Sequence, residues 1–318
     1  MNEQTDPLTL LRESANHPRV ATIGTFDGVH RGHQRLIGHA RDRANVRGVP
    51  LTVITFDQPP VAVLRPDRFA GAILPLDRKL ELLAEAGADE ILVLPFTREL
   101  SQVSAAEFMD VLALQAGVVD VSTGEGFALG HNREGTVDVL DRLATERGMA
   151  FEAIQRLADV DGVVSSSAIR TAIAEGDVQR AAASLGRWHR VSGEVIRGAQ
   201  VGRSIGYPTA NILPAEGFVQ LADGIYASLT HLPGRTEPVH SMTYIGTRPA
   251  LNTGRRAIET HLLDFDGDLY GQELQVDVMK RLRADADFPS VDALIAQLRR
   301  DEAETRAVLA RDRSPSRM

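Results

Sequence analysis

Hydrophobic positions in the first half of the chain fall into short, β-branched runs separated by stretches of helical period. The strand-like runs cover residues 20–24, 51–56, 90–94 and 118–122. Strands that alternate with helices form βαβ units around a mostly parallel sheet. Ligands of such sheets bind beyond the carboxyl ends of the strands, so the loops after Gly24, Phe56 and Ser122 are the first candidates for a site.

The second half of the chain has a period of two instead. Its alternating runs cover residues 191–197, 224–230, 239–245, 257–265 and 273–281. This pattern predicts an antiparallel barrel or sandwich, and Pro289 and Ser290 then precede a pattern typical of a terminal helix. We therefore predict an α/β domain over residues 1–185 and a β-rich domain over residues 186–318.

Composition narrows the possible functions. The 318 residues include 35 basic and 43 acidic ones, and the net charge of −8 disfavours nucleic acid as a partner. The chain has no cysteine, so thiolate nucleophiles, disulfides and zinc–thiolate sites are excluded. Its apolar runs are far shorter than the ~20 residues that cross a bilayer, and its first residues lack the pattern of a secretory signal. We expect a cytoplasmic protein without a membrane partner.

The segment TIGTFDGVHRGH at 22–33 predicts a strand end, a tight loop and a helix start. If the helix begins near Val29, His30 and His33 both project from its first turn into the space above the sheet. Free amide groups of that turn favour an anion, and two imidazoles there can bind phosphate oxygens and stabilise growing charge. Gly24 and Gly28 let the backbone turn close to a ligand. For a single histidine taken alone, an ordinary polar surface position is the alternative.

A second candidate segment is VSSSAIR at 164–170, which predicts serine caps followed by a helix. Arg170 is expected in the first turn, where a cation opposes the helix dipole by ~0.3–1 kcal/mol. Its position is therefore more favourable with an anion bound nearby. An ordinary N-cap with a surface arginine explains the segment equally well.

The richest segment of the second half is GRSIGYPTANI at 202–212. Its glycine spacing and Arg203 do not match a P-loop, so Gly202 and Gly206 indicate a flexible flap instead. Thr209 and Asn211 lie two residues apart in an extended segment and point to the same side, where their oxygens suit Mg²⁺ beside phosphates. An ordinary turn after Pro208 is the alternative.

Glu259 lies in the alternating run 257–265. A carboxylate that faces inward there is costly unless it has a task, and general base for a hydroxyl is such a task. An outward-facing Glu259 would be an ordinary strand residue.

The motifs of the first half resemble those of HxGH nucleotidylyltransferases. They are most similar to the adenylyltransferase domain of bacterial bifunctional riboflavin kinase/FMN adenylyltransferases. The matching segments are GTFDGVHRGH at 24–33, LPFTREL at 94–100 and SSSAIR at 165–170. The resemblance implies a Rossmann-like domain in which the FMN phosphate attacks the α-phosphorus of ATP and releases pyrophosphate. It assigns catalysis to His30, His33 and Arg170, and nucleotide binding to Gly24, Thr25, Phe26, Asp27, Gly28, Ser165 and Ser166.

Two segments depart from that family pattern. Where the family usually has F-D-P-H-P, residues 56–60 are FDQPP, which lacks a histidine near the nucleotide. The flavin loop, usually G-x-[DN]-F-x-F-G, is GEGFALG at 124–130, so Gly126 replaces a polar residue and Leu129 an aromatic one. Each change would weaken FMN binding by ~1 kcal/mol. The flavin-binding positions that match are Gly124, Phe127 and Gly130.

The second half resembles the riboflavin kinase domain of the same family. Its matching segments are GRSIGYPTANI at 202–212, DGIYA at 223–227, YIGTRP at 244–249 and ETHLLDFDGDLYG at 259–271. The resemblance implies a six-stranded β-barrel in which the segment PTAN holds Mg-ATP and Glu259 activates the ribityl 5′-hydroxyl. It assigns nucleotide binding to Gly202, Gly206, Pro208, Thr209 and Asn211, and the metal to Thr209 and Asn211. Trp188 and His189 replace a usual Pro-Tyr pair.

The resemblance therefore predicts a Mg²⁺-dependent enzyme that converts riboflavin to FMN and FMN to FAD, with ATP as substrate in both steps. Its partners are expected to be riboflavin, FMN and ATP, and the chain a monomer or weak homo-oligomer. Two alternatives stay open. One is a riboflavin kinase with a weak or redirected first domain, which the departures at 56–60 and 126 favour. The other is a non-catalytic flavin-binding regulator.

Overall fold

The computed structural model describes residues 8–14, 17–160, 162–198, 201–247 and 256–311. Contacts within the chain divide it into two compact units, residues 1–166 and 167–318. This division falls about twenty residues before the boundary that the sequence pattern favours. The domain limits 1–185 and 186–318 stay a prediction.

The first unit contains a five-stranded parallel sheet in the order β3-β2-β1-β4-β5. Its strands are β1 (Arg19–Ile23), β2 (Leu51–Phe56), β3 (Glu90–Leu94), β4 (Val118–Gly124) and β5 (Ala150–Ile154). The first four confirm the predicted strands and the α/β class. The pattern missed β5 because its sequence, AFEAI, lies half-buried at the sheet edge and includes residues with low strand propensity.

In the described part of this unit, six α-helices lie between or before these strands. They are α1 (Thr9–Glu13), α2 (Arg31–Arg47), α3 (Pro60–Leu64), α4 (Leu76–Glu85), α5 (Ala105–Leu114) and α6 (Val137–Glu146). Local sequence explains their ends: Ser104 Oγ caps α5 by accepting from the Glu107 N–H at 3.1 Å, and α2 ends at Gly48 with φ of 65°. The buried core of this unit joins Ile23, Ile54 and Val121 to apolar residues of α5 and α6. A short hairpin, β6 (Ala158–Asp159) and β7 (Gly162–Val163), follows the sheet.

The second unit is a closed six-stranded barrel in the order β10-β11-β12-β9-β8-β13. Its strands are β8 (His189–Ile196), β9 (Ala210–Ile212), β10 (Gly224–His231), β11 (Val239–Thr247), β12 (Arg256–Leu262) and β13 (Glu273–Arg283). The helices of this part of the chain are α7 (Ser166–Glu175), α8 (Val178–Leu185), α9 (Val201–Ser204) and α10 (Val291–Arg311). The barrel and its terminal helix confirm the predicted architecture.

A chain of buried hydroxyls identifies the inner face of the barrel. Thr243 Oγ1 lies 2.7 Å from Ser228 Oγ and 3.1 Å from Thr260 Oγ1, and all three residues are fully buried. Side chains at the neighbouring positions of each strand therefore face outward. Met242 and Tyr244 are such residues, and they pack with Leu298 of α10. The terminal helix thus covers part of the outer face of the barrel.

Among the described helices, none combines the length and the apolar character needed to cross a bilayer.

Candidate active sites

The loop after β1 folds back on itself before α2 begins. Gly24 N–H donates to the Ile54 carbonyl of β2 at 3.1 Å, and Val29 N–H donates to the Phe26 carbonyl at 3.0 Å. Phe26 and Val29 have φ of 50° and 38°, in the left-handed region that costs a residue with a side chain ~1–3 kcal/mol. Both side chains are buried, so packing holds this strained turn in place. Gly28, with φ of 83°, completes it without such a cost.

The two histidines of this loop stack on each other. Their ring centroids are 3.6 Å apart with an interplanar angle of 16°, and the His33 ring meets the Phe26 ring edge-on at 5.2 Å. The helix begins at Arg31, two residues later than expected, because His30 is its N-cap: Nδ1 of His30 accepts from the His33 N–H at 3.3 Å. Nδ1 must then carry a lone pair, so a neutral His30 holds its proton on Nε2. The proton on Nε2 is therefore the one that a neutral His30 would offer to an anion.

Asp27 and Thr25 tie the loop to neighbouring segments. Asp27 Oδ1 accepts from the Ile73 N–H at 3.0 Å, and the Asp27 carbonyl accepts from Ser166 Oγ at 2.8 Å. The Thr25 carbonyl accepts from Thr55 Oγ1 at 3.2 Å. The structure thus brings Ser166, predicted from the second motif, to the loop of the first. Asp27 is buried. Its backbone carbonyl binds Ser166, and its carboxylate binds the backbone of Ile73.

Ser165 directly precedes α7, and Arg170 is the fifth residue of that helix. Arg170 is therefore one residue beyond the first turn in which it was expected. It is half-buried and belongs to the second compact unit, whereas the histidines belong to the first. Its catalytic role stays a prediction.

Lys79 of α4 is a buried cation that the sequence pattern did not single out. Its Nζ donates to the Phe56 carbonyl at 2.6 Å and to the Thr25 carbonyl at 3.5 Å. Lys79 therefore links the carboxyl ends of β2 and β1. Burial lowers the pKa of Lys79, while the carboxylates of Asp27 and Asp57 oppose that shift. The signal that could have identified Lys79 from the sequence is its position beside the apolar residues of an amphipathic helix.

The segment FDQPP, which departs from the family pattern, follows β2. It forms hydrogen bonds with the segment LPFTREL, which follows β3. Asp57 Oδ1 accepts from the Phe96 N–H at 2.8 Å, and Gln58 Nε2 donates to the Phe96 carbonyl at 3.4 Å. The Phe56 and Phe96 rings pack edge-on, 5.3 Å apart. Pro59 then caps α3, which begins at Pro60. The departure from the family pattern therefore leaves an ordered loop with internal hydrogen bonds.

The predicted flavin loop follows β4 at the same edge of the sheet. Gly124 ends β4, and the Phe127 N–H donates to its carbonyl at 2.9 Å. Phe127 and Leu129 are half-buried and pack against the core of the first unit. Gly130, with φ of 80°, begins the turn that leads to His131. Both side chains thus contribute to the core and stay partly accessible.

The second unit contains a cavity of about 560 Å³ between the outer face of the barrel and α10. Barrel residues on its wall are Ile225, Met242, Tyr244, Thr247, Glu259 and His261. The predicted flap contributes Gly202, Ile205, Tyr207 and Thr209, and α10 contributes Val291, Leu294 and Leu298. Apolar walls with a few polar groups are typical of a site for an aromatic ligand.

The structure brings the predicted kinase residues together. Asn211 of β9 lies directly opposite Glu259 of β12 in the antiparallel register, so their side chains share one face. Thr209 and Glu259 line the same cavity. Glu259 does not point into the barrel as expected, because Thr260 occupies the inner face and Glu259 the outer one. It is half-buried on the wall of the cavity, where it can reach a ligand.

The flap before β9 carries the other predicted nucleotide-binding residues. Gly202 lies in α9, and its carbonyl accepts from the Tyr207 N–H at 2.8 Å, which closes a turn around Gly206. A Cβ at Gly198 would lie 2.6 Å from the Asn211 carboxamide, so the backbone cradles that side chain closely. The hydroxyl of Thr209 and the carboxamide oxygen of Asn211 are hard ligands, which fits Mg²⁺ shared with phosphates and water. The described residues contain no cluster of three or more His, Asp or Glu side chains that would form an all-protein metal site.

Comparison with known proteins decides the family. Residues 12–168 match the family model described as FAD synthetase, and residues 185–309 match the one described as riboflavin kinase. A bifunctional riboflavin kinase/FMN adenylyltransferase from Pseudomonas fluorescens is 38% identical over 92% of this chain and 93% of its own length. The chain belongs to the bifunctional riboflavin kinase/FMN adenylyltransferase family. This confirms the resemblance found in the sequence.

Other relatives in this family are similarly long. The protein of the same name from Escherichia coli K12 is 35% identical over 90% of this chain and 91% of its own. A solved structure of a macrolide-efflux protein from Streptococcus pneumoniae is 28% identical, with a TM-score of 0.86 over 93% of this chain and 96% of its own. That likeness supports the fold.

Two further polar groups on the cavity wall of the second unit were not found from the sequence. His261 Nδ1 lies 2.7 Å from the Pro208 carbonyl and must donate to it, which fixes the segment PTAN against β12. Tyr244 O–H donates to Asp285 Oδ2 at 2.9 Å. Both side chains point to the same outer face of the barrel as Glu259. Their alternating positions along the strands were the sequence signal that could have identified them. The end of the segment YIGTRP lies outside the described residues.

Proposed function

We infer that this chain catalyses two ATP-dependent reactions in flavin synthesis: phosphorylation of riboflavin to FMN, and adenylylation of FMN to FAD with release of pyrophosphate. The observation that carries this conclusion is that one chain matches both family models. Each half also holds its own cluster of reactive groups, the stacked histidines in the first and Glu259 with Thr209 in the second.

In the kinase reaction, Glu259 is proposed as the general base. Its carboxylate accepts the proton of the ribityl 5′-hydroxyl while that oxygen attacks the γ-phosphorus of ATP and ADP leaves. The apolar wall of Ile225, Met242 and Leu298 supports binding of the flavin ring in the same cavity. His261 is a positioning residue, because it holds the carbonyl before Thr209.

Thr209 and Asn211 are the proposed ligands of Mg²⁺. The ion would neutralise charge on the ATP phosphates when bound. The shared face of Asn211 and Glu259 supports this assignment, because it puts the phosphate-binding side chain next to the base.

In the adenylyltransferase reaction, an FMN phosphate oxygen attacks the α-phosphorus of ATP and the bond to pyrophosphate breaks. No protein nucleophile is needed. His30 donates from Nε2, and His33 stacked on it adds a second imidazole, so both can stabilise negative charge that grows on the phosphates. Arg170 is proposed as a further cation for this charge. Gly124, Phe127 and Gly130 are proposed for the flavin.

We further propose that the catalytic modules are residues 1–185 and 186–318 and that the enzyme acts as a monomer or weak homo-oligomer. Its proposed compartment is the cytoplasm, where ATP is supplied for both reactions.

The test is to incubate the purified chain with Mg-ATP and either riboflavin or FMN and to separate the flavins by chromatography. We expect FMN and FAD from riboflavin, and FAD from FMN. Formation of FMN without any FAD would show that the departures in the first unit remove the second activity. No product from either substrate would leave only a flavin-binding protein.

A further inference from the structure

Parallel pairing of β4 and β5 brings two loops together at the carboxyl edge of the sheet. Gly124 and Ile154 are partners in the register, and the Glu125 N–H donates to the Ile154 carbonyl at 2.9 Å. Two residues beyond these partners, Gly126 of the flavin loop faces Arg156. The side chain of Arg156 therefore lies on the loop at the position where the family usually has Asp or Asn.

Gly126 has no conformational need to be glycine. Its φ lies outside the left-handed region, so other residues can adopt its backbone. The three atoms nearest to a Cβ built at this position all belong to the guanidinium of Arg156, with Cζ at 2.7 Å and Nε at 3.0 Å. The missing side chain at 126 thus makes room for the guanidinium of Arg156.

The neighbourhood of this guanidinium carries net positive charge. Arg133 Nη2 donates to the Gly126 carbonyl at 3.3 Å, and Arg156 Nε lies 3.9 Å from Glu125 Oε1. Two cations therefore face one carboxylate. The pair of Arg156 and Glu125 is about half exposed on both sides, so it holds the arginine weakly. Donors of Arg156 are accessible to a ligand.

We propose that Arg156 takes the place of the family's polar residue at 126 and donates hydrogen bonds to the carbonyl oxygens of the flavin ring of FMN. This inference rests on the proposed adenylyltransferase function. Arginine only donates, so it pairs with the acceptor edge of the ring. The ring rather than the phosphate is the expected partner, because β5 is two strands from β1, ~10 Å away at the usual strand spacing.

Two single substitutions test this contact in different ways. Arg156→Met removes the donors, whereas Gly126→Ala keeps the charge and displaces the guanidinium from the loop. Loss of one charge-assisted hydrogen bond predicts that each raises KM for FMN in FAD formation by roughly tenfold. The kcat, the KM for ATP and the riboflavin kinase activity are expected to stay within about twofold. Because both changes break the same contact, KM for FMN in the double variant should be no higher than in either single variant.

Matched variants control for charge and for the family pattern. Arg142→Met removes an exposed arginine of α6 and should leave KM for FMN unchanged. The double variant Gly126→Asn with Arg156→Ala recreates the usual residue of the family in the vacated space. We expect it to recover most of the affinity for FMN that Arg156→Ala alone loses.

Lumiflavin, which lacks the ribityl phosphate, distinguishes the ring from the phosphate. Its inhibition constant for FAD formation should rise in Arg156→Met by the same factor as KM for FMN. An unchanged inhibition constant would place the contact at the phosphate and overturn the proposal, as would an unchanged KM for FMN in both single variants. If the wild-type chain made no FAD, the proposed function itself would be wrong, which is a different result.

Discussion

Single buried side chains decide how the loops at the sheet edge are held, and Lys79 is the clearest case. It joins the carbonyls of Thr25 and Phe56 and lies near two carboxylates. We predict that Lys79→Met lowers FAD formation from FMN by roughly tenfold or more, because the two loops lose their common donor and the carboxylates of Asp27 and Asp57 lose a buried cation. Riboflavin phosphorylation should be unaffected.

Arg78→Met is the control for Lys79→Met. Arg78 is the preceding residue of the same helix and pairs with Glu81 and Glu85 on the surface. Full FAD synthesis by a folded Lys79→Met protein would contradict a positioning role for Lys79.

A second residue-level prediction concerns pH. Burial lowers the pKa of His189 from 6.5 to about 4, with Arg187 adding to the shift and Asp277 opposing it. Between these values the unfolded chain binds a proton that the folded chain does not, so stability falls as the pH falls from 6.5 towards 4. The loss amounts to roughly 3 kcal/mol in total.

His189→Tyr, the residue usual in the family, should remove this part of the pH dependence. Urea unfolding of both proteins at pH 7 and pH 5 measures it. Equal loss of stability in the two proteins on acidification would show that His189 is not the group responsible.

At the scale of elements, the hydroxyl chain inside the barrel is a specific requirement of the fold. Thr243 links Ser228 and Thr260 across three strands. Thr243→Val keeps the shape but leaves buried hydroxyls with fewer partners, so we predict a loss of ~1–3 kcal/mol in the free energy of unfolding. Thr236→Val, at an exposed loop position, should change it little. Equal stability of the two variants in urea would contradict this role.

The same elements show what the sequence could and could not predict. Strong alternation located the five long strands of the barrel, and β-branched runs located four of the five strands of the sheet. The pattern failed at β5, which is half-buried along its whole length, and at β9, which has only three residues. It also misassigned the face of Glu259, because inward and outward positions of β12 are alike buried or half-buried, so alternation does not distinguish its two faces.

For the sites, residue type and spacing gave the candidates His30, His33, Thr209, Asn211 and Glu259, whose roles stay a prediction. The contacts of Lys79, Arg156 and His261 depend on residues far away in the chain, with separations of 23, 30 and 53 positions to Phe56, Gly126 and Pro208. A linear motif contains no record of such contacts. The resemblance located the loops, and only the structure revealed which side chains hold them.

At the scale of the whole molecule, each unit encloses its own buried core. One cluster contains Ile23, Ile54 and Val121, and others contain Trp188 with Met279 and Ile225 with Tyr244. A substitution at one site therefore need not disturb the other. We predict that a mixture of a Glu259→Gln protein and a His33→Ala protein makes FAD from riboflavin, because FMN released by the second can enter the adenylyltransferase site of the first. Each protein alone should not, and absence of FAD from the mixture would contradict two separable sites.

The central claim is that two independent sites perform the two reactions, and the rates of these two variants with each substrate test it most directly. Glu259→Gln should lower FMN formation from riboflavin by ~100-fold or more and leave FAD formation from FMN intact. His33→Ala should do the reverse, with a similar loss. If either substitution removed both activities in a folded protein, the assignment of Glu259 to one site and His33 to the other would be wrong.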